Sequence, residues 1–303
     1  MITTTPVIPS FLDVELLSRL PGLELQAKYL VEGFLSGLHR STFRGHNVEF
    51  MEFRGYQPGD EPRTIDWKVY ARSDRLYVKL REEETNLTSY VVVDVSASMN
   101  YASPRAAMTK WQYARSMAAA LLLLLNRQQD AASLVLAGKG LPVFIRPSLR
   151  ASELRRMMGA LQRDALEPVT SLGECLNDLS RLVRRRSMLI VISDFYVDPK
   201  SMEAAIGQLH FLKCEPIFLH VMDPRELELD FDSPVLLREL ESQGRLPISP
   251  DLLRQKYLGR LAEHRKALES LATGHGGDYV LLRTDQPPVA GLGAYLARRE
   301  GML

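Results

Sequence analysis

Three short polar clusters could do chemistry together, because each follows a predicted buried strand or precedes a predicted helix. Their side chains supply hydroxyl and carboxylate oxygens, without histidine or cysteine. The five residues are Asp94, Ser96, Ser98, Thr170 and Asp194. Hard oxygen donors suit Mg²⁺ or Mn²⁺ rather than zinc or copper. The set predicts a divalent metal site with mostly neutral ligands, which would still attract a carboxylate from outside the protein.

The elements around these clusters predict that the clusters meet at one edge of a sheet. Residues 90–93 and 188–192 are continuous apolar runs, typical of strands that are covered on both faces of a parallel sheet. In an open α/β sheet, ligands bind at the carboxyl ends of the strands, where the strand order reverses. The alternative is helix capping, by Asp94 and the serines for the following helix and by Thr170 for the next.

Strands and helices alternate over most of the chain, which predicts an α/β fold with a doubly wound, mostly parallel sheet. Two apolar runs joined by Gly138-Lys139-Gly140 predict a hairpin, so we expect an antiparallel edge strand. Ahead of this sheet, residues 11–38 have helical spacing and residues 47–83 contain alternating strands. We therefore expect an N-terminal helical and small β extension over residues 1–88. The α/β domain follows over 89–303, with an insertion near 225–250.

Composition excludes several classes of protein. The 303 residues carry a formal net charge of +1, whereas a dedicated nucleic-acid domain is usually clearly basic. The two cysteines, Cys175 and Cys214, fit neither a disulfide framework nor a zinc cluster, which suits a reducing compartment. No apolar run reaches the length of a membrane span, and the N-terminus lacks a basic leader. We expect a cytoplasmic protein that does not bind nucleic acid.

The pattern Asp94-x-Ser96-x-Ser98, with a distant Thr170 and a strand-terminal Asp194, resembles the metal-ion-dependent adhesion site of von Willebrand factor A domains. The resemblance covers about residues 89–225. It implies that the two aspartates act partly through water and that the serines and the threonine use their hydroxyls. It also implies that a Glu or Asp of a partner protein completes the metal's coordination shell.

A second resemblance concerns the charged segment that precedes the sheet. Residues 53–68, FRGYQPGDEPRTIDWK, followed by Ala71-Arg72, are similar to bacterial domain-of-unknown-function family fifty-eight. That family couples this segment to an A-domain and is linked to MoxR-type AAA+ ATPases. The resemblance implies a metal-dependent, protein-binding adaptor that works with such an ATPase in the chaperone-like maturation or assembly of client proteins.

Two other functions remain open at this point. A metal-dependent hydrolase would need a general base, and no His or Glu is placed beside the metal cluster in the sequence. A metal-free interaction scaffold is the other alternative. The charged residues of 53–75 also have three interpretations: solvated surface ion pairs, a buried polar network anchored by Trp67, or a contact surface for the ATPase.

Overall fold

The computed structural model of the protein describes residues 12–40, 52–56, 70, 76–80, 87–162, 167, 171–230, 235–238, 245–248 and 250–302. The chain forms two compact units. The larger unit contains residues 1–37 and 87–303, and the smaller one contains 38–86. The two N-terminal helices therefore begin within the larger unit, which resumes two residues before the predicted start of the α/β domain at 89.

A six-stranded sheet forms the centre of the larger unit, in the order β10-β7-β6-β3-β4-β5. All neighbouring strands are parallel except β4 and β5, which form the predicted antiparallel hairpin at one edge. The strands are β3 (Thr88–Asp94), β4 (Ala131–Gly138), β5 (Gly140–Ser148), β6 (Ser187–Ser193), β7 (Cys214–Met222) and β10 (Asp278–Arg283). The prediction of a doubly wound, mostly parallel sheet with an antiparallel edge strand is confirmed.

Helices cover both faces of this sheet. The nine helices named in the described part of the chain are α1 (Val14–Arg19), α2 (Leu23–Arg40), α3 (Lys110–Arg127), α4 (Ala151–Leu161), α5 (Leu172–Ser180), α6 (Lys200–Phe211), α7 (Pro224–Glu228), α8 (Pro250–Gly274) and α9 (Val289–Met302). One face of the sheet carries α3, α4 and α9, and the other carries α5, α6 and α8. Because both faces are covered, β3 and β6 are buried at every residue, as their continuous apolar sequences predict.

Helix α3 crosses the centre of one face, and its sequence explains why it starts where it does. The Thr109 hydroxyl accepts a hydrogen bond from the backbone N–H of Gln112, and the Gln112 side chain accepts one from the backbone N–H of Thr109. This reciprocal capping box satisfies two backbone donors of the first turn. It sets Lys110 as the first helical residue, directly below the carboxyl edge of the sheet.

Further antiparallel strand pairs lie outside the central sheet. In the smaller unit, β1 (Glu52–Gly55) pairs antiparallel with β2 (Tyr77–Leu80). The predicted strand around Val48 and most of the charged segment 53–75 lie outside the described residues. Within the predicted insertion, β8 (Val235–Arg238) pairs antiparallel with β9 (Arg245–Ile248). Throughout the described ranges, no helix combines the length and the hydropathy that crossing a membrane requires.

Candidate metal centre

Two buried acids stand where the strand order of the sheet reverses. Asp94 ends β3 and Asp194 follows β6 directly; the two strands pair in parallel, with Val93 opposite Ile192. The chain leaves β3 toward β4 on one side and returns through β6 on the other, so both acids border the crevice in which such sheets bind ligands. Asp94 is 2% exposed and Asp194 is 1% exposed.

The Asp94 carboxylate is held by hydrogen bonds to both of its oxygens. Its Oδ1 accepts a bond of 2.9 Å from the backbone N–H of Ser96, and its Oδ2 accepts one of 2.6 Å from the Ser193 hydroxyl. Burial and the neighbouring Asp194 carboxylate raise the pKa of Asp94 above its ordinary value. Two buried carboxylates that repel each other are stabilised by a cation placed between them.

The two serines present their hydroxyls to each other. The Oγ atoms of Ser96 and Ser98 are 2.9 Å apart, Ser96 is buried and Ser98 is half-buried. Ser96 precedes a short 3₁₀ helix, Ala97–Asn100, but its side chain makes no capping bond. The capping alternative is therefore wrong for Asp94 and these serines, because Thr109 caps α3. Their oxygens are grouped at the crevice instead.

The segment that carries the fifth predicted ligand reaches the same edge at the residues the structure describes. The backbone N–H of Glu167 donates to the carbonyl of Val95 at 2.7 Å, and the N–H of Ser171 donates to the carbonyl of Gly138 at 3.4 Å. Thr170 itself lies outside the described residues. The structure thus brings together four of the five predicted site residues and leaves the position of Thr170 open.

A lysine that the sequence reading did not single out belongs to this site. Lys110 is fully buried, and its Nζ donates to Asp194 Oδ2 at 2.8 Å and to Glu226 Oε1 at 2.8 Å. The ring of Tyr196 lies 4.8 Å from the ammonium. Burial alone would lower the pKa of Lys110, but Asp194 and Glu226 outweigh burial and raise it. The sequence signal was a lysine at the first position of a helix whose central run, Met117–Leu125, is apolar.

The donor set of this site fits Mg²⁺ or Mn²⁺. Asp94, Asp194, Ser96 and Ser98 offer oxygen atoms, and each carboxylate oxygen has more than one acceptor position. Asp194 Oδ1 accepts one long hydrogen bond, of 3.5 Å, from the backbone N–H of Tyr196, so this oxygen can also bind a metal ion. Where the structure describes the chain, no three His, Cys, Asp or Glu side chains are grouped to hold a metal. A metal here depends on the serine hydroxyls and water as well.

A buried histidine lies beside the site, on the face of the sheet that carries α8. His220, paired in register with Ser193, contacts the Tyr279 hydroxyl through Nδ1 at 2.8 Å and packs edge-on against Phe195. Its Nε2 is buried and has no hydrogen-bond partner in the described part of the chain. Burial lowers the pKa of His220 from 6.5 to about 3. The ring therefore stays neutral in the folded protein at physiological pH.

His220 predicts an acid-sensitive fold. The unfolded chain takes up a proton near pH 6.5 and the folded one does not, so stability is full above that pH and falls as pH decreases toward 3. Between pH 7.5 and 5, this linkage removes about 2 kcal/mol from the free energy of unfolding. Urea unfolding at both pH values measures this difference in the free energy of unfolding, and His220→Phe should reduce the difference by about 2 kcal/mol. The exposed His210→Gln should retain it, and equal slopes for both variants would contradict the linkage.

Comparison with known proteins decides the family. Residues 52–267 match the family described as "Protein of unknown function DUF58". The chain belongs to this family. The match confirms the resemblance noted for the segment 53–72, and it joins that segment to most of the α/β sheet.

Relatives and solved structures resemble the DUF58 chain to different degrees. An uncharacterized protein of Mycobacterium bovis and one of Mycobacterium tuberculosis are each 30% identical over 298 residues, which cover 96% of this chain and 92% of theirs. An aerotolerance-related membrane protein from Bacteroides fragilis is 13% identical with a TM-score of 0.49, covering 71% of this chain and 99% of its own. The SpRpn10 VWA domain is 11% identical with a TM-score of 0.40, covering 68% and 93%.

Proposed function

We propose that this protein is a metal-dependent, protein-binding adaptor. The observation that carries the proposal is the grouping of Asp94, Ser96, Ser98 and Asp194, with their hydroxyl and carboxylate oxygens, at the edge of the sheet where the strand order reverses. Mg²⁺ or Mn²⁺ held there, with Thr170 as a further ligand, supplies a positive centre that an external carboxylate can join. A Glu or Asp of a client protein is the group that this chemistry recognises.

The proposal includes a MoxR-type AAA+ ATPase as the partner and the cytoplasm as the place of action. The resemblance of the 53–72 segment to its family supports this partner class. The adaptor would then hold a client protein while the ATPase remodels it during maturation or assembly. A nearly neutral chain, with a net charge of +1, gains little from bulk electrostatic steering, so the single metal contact matters strongly.

Each residue of the site has a defined part in this proposal. Ser96 and Ser193 hold the Asp94 carboxylate in one orientation through hydrogen bonds, so little conformational entropy is lost when a metal binds. The serine hydroxyls and water are neutral ligands, so a bound dication keeps a coordination position that an external carboxylate can take. The half-buried Ser98 marks the side of the site that an external carboxylate can reach.

The Lys110 ion pair favours a second candidate, a metal-free interaction scaffold. In this candidate the ammonium neutralises Asp194 and Glu226 permanently, and the sheet edge binds its partner through shape and hydrogen bonds. The two candidates differ in a direct observable. The adaptor binds divalent metal with Asp94 as a ligand, and the scaffold does not.

Calorimetry with Mn²⁺ tests the proposal. We expect one site per chain and at least roughly tenfold weaker binding in Asp94→Ala, because a carboxylate ligand and its charge are lost. The matched control is Asp178→Ala, which removes a half-exposed acid on α5. Circular dichroism should show that both variants are folded. Absence of Mn²⁺ binding in the unmodified protein, or equal binding in Asp94→Ala, would favour the scaffold.

A further inference from the structure

Lys110 is the positively charged group in a cluster of carboxyl groups at the crevice. Three carboxyls, those of Asp94, Asp194 and Glu226, belong to one connected cluster with the single ammonium of Lys110. With all of them ionised, the cluster has a formal charge of −2. One divalent cation balances that charge. Because Lys110 contributes its own positive charge, a second divalent cation is not needed.

The ammonium and a metal ion would share one ligand. Lys110 reaches Asp194 from α3, 84 residues earlier in the chain, and it uses Oδ2, whereas Oδ1 makes its long bond to the backbone N–H of Tyr196. Glu226 provides a second anchor for the same ammonium at an equal distance of 2.8 Å. The lysine can therefore give up Asp194 and remain paired.

We propose that Lys110 is a built-in counter-cation that competes with the divalent metal for Asp194, and that Glu226 retains the ammonium when the metal binds. This inference rests on the proposed metal-dependent function and concerns how the same site is regulated. Lys110 lowers the metal affinity, so the site fills only at higher free metal, and without metal the ammonium compensates one of the negative charges of the cluster. Lys110 is a positioning residue, since it acts on the metal through Asp194.

The first test replaces the lysine and measures Mn²⁺ affinity. Lys110→Met removes the positive charge with similar side-chain length, so Mn²⁺ should bind roughly tenfold more tightly or better, because repulsion between the two cations is lost. Lys110→Arg keeps the charge and should change the affinity less. The matched control is Arg185→Met, which removes an exposed cation just before β6 begins, at the end of the strand opposite Asp194.

Thermal denaturation with and without Mn²⁺ gives a second readout. Lys110→Met leaves two buried carboxylates without their ammonium, so its melting temperature should fall without metal and rise more steeply with Mn²⁺ than that of the unmodified protein. If Lys110→Met fails to fold, Glu226→Gln takes its place. The ammonium then rests on Asp194 alone, and Mn²⁺ affinity should fall about threefold or more.

The outcomes separate this inference from the proposed function. If the unmodified protein binds Mn²⁺ and neither Lys110→Met nor Glu226→Gln changes the affinity, the competition is refuted and the metal-dependent adaptor stands. If Mn²⁺ binds after Lys110→Met and not before, the competition is supported and the unmodified protein is a scaffold. If no variant binds Mn²⁺, both ideas are overturned.

Discussion

A complex of this protein with a MoxR-type AAA+ ATPase, or with a client delivered by it, should weaken about 30-fold or more when EDTA removes divalent metal. Loss of a buried charged contact typically costs about 2–5 kcal/mol, and 2 kcal/mol corresponds to about 30-fold in affinity. The double variant Ser96→Ala/Ser98→Ala should have the same effect, because it removes two oxygen donors and little volume. Pull-down followed by titration with purified ATPase measures both.

Two controls make this result specific. Ser18→Ala/Ser201→Ala removes two exposed hydroxyls that bond to nearby backbone carbonyls, and it should leave the affinity unchanged. Arg63→Ala lies in the charged segment outside the described residues, and it should act through stability if that segment is structural. If the complex survives EDTA, and Arg63→Ala breaks it without lowering the stability of the protein, the interface lies in residues 53–75 and the metal-adaptor mechanism is wrong.

Asp130→Ala should lower the free energy of unfolding by about 3 kcal/mol. The Asp130 carboxylate is 1% exposed and accepts hydrogen bonds from the Tyr295 hydroxyl at 2.8 Å and from Arg299 Nε at 2.6 Å. Its loss leaves the half-buried Arg299 without this partner and loosens α9 from the start of β4. Urea unfolding at neutral pH measures the difference.

A second variant separates the broken ion pair from a general effect of substitution. Asp130→Ala/Arg299→Leu removes both charges, so part of the lost stability should return, since no unpaired guanidinium remains. The exposed Asp178→Ala should cost less than about 0.5 kcal/mol. If Asp130→Ala lowers the free energy of unfolding by less than about 1 kcal/mol, the value of one ordinary hydrogen bond, the contact of Asp130 with α9 contributes little to stability.

Local sequence patterns predicted most of the fold. The apolar runs 90–93 and 188–192 predicted the central strands β3 and β6, and the glycines at 138 and 140 predicted the hairpin at the sheet edge. These patterns can be recognised in short stretches of sequence, because a strand that is buried on both faces needs a continuous apolar run and a tight turn favours glycine. Helix ends, such as that of α5 at Ser180, are less predictable, because they depend on which carbonyls find partners in the folded protein.

The site was predicted in part, and the missing part is non-local. The structure brings Asp94, Ser96, Ser98 and Asp194 to one edge of the sheet, as the strand ends predicted, and their role as metal ligands stays a prediction. Lys110 was missed since a lysine in a helix usually faces solvent, and its two partners are 84 and 116 residues away. Helix α7 was also missed, although Asp223-Pro224 with Glu226 is a capping-box sequence.

The wide spacing of the site residues along the chain has a consequence for biogenesis. Asp94 is bonded to Ser193, 99 residues later, and the intervening chain must first complete the hairpin, α4 and α5 before β6 can insert beside β3. Parallel pairings of this kind form late, because the entropy of closing a long loop precedes any gain from the contacts. Under the proposed metal-dependent function, a nascent chain that ends before residue 194 lacks one of the metal ligands, and metal uptake would report that β6 has joined β3, ahead of β7 and β10.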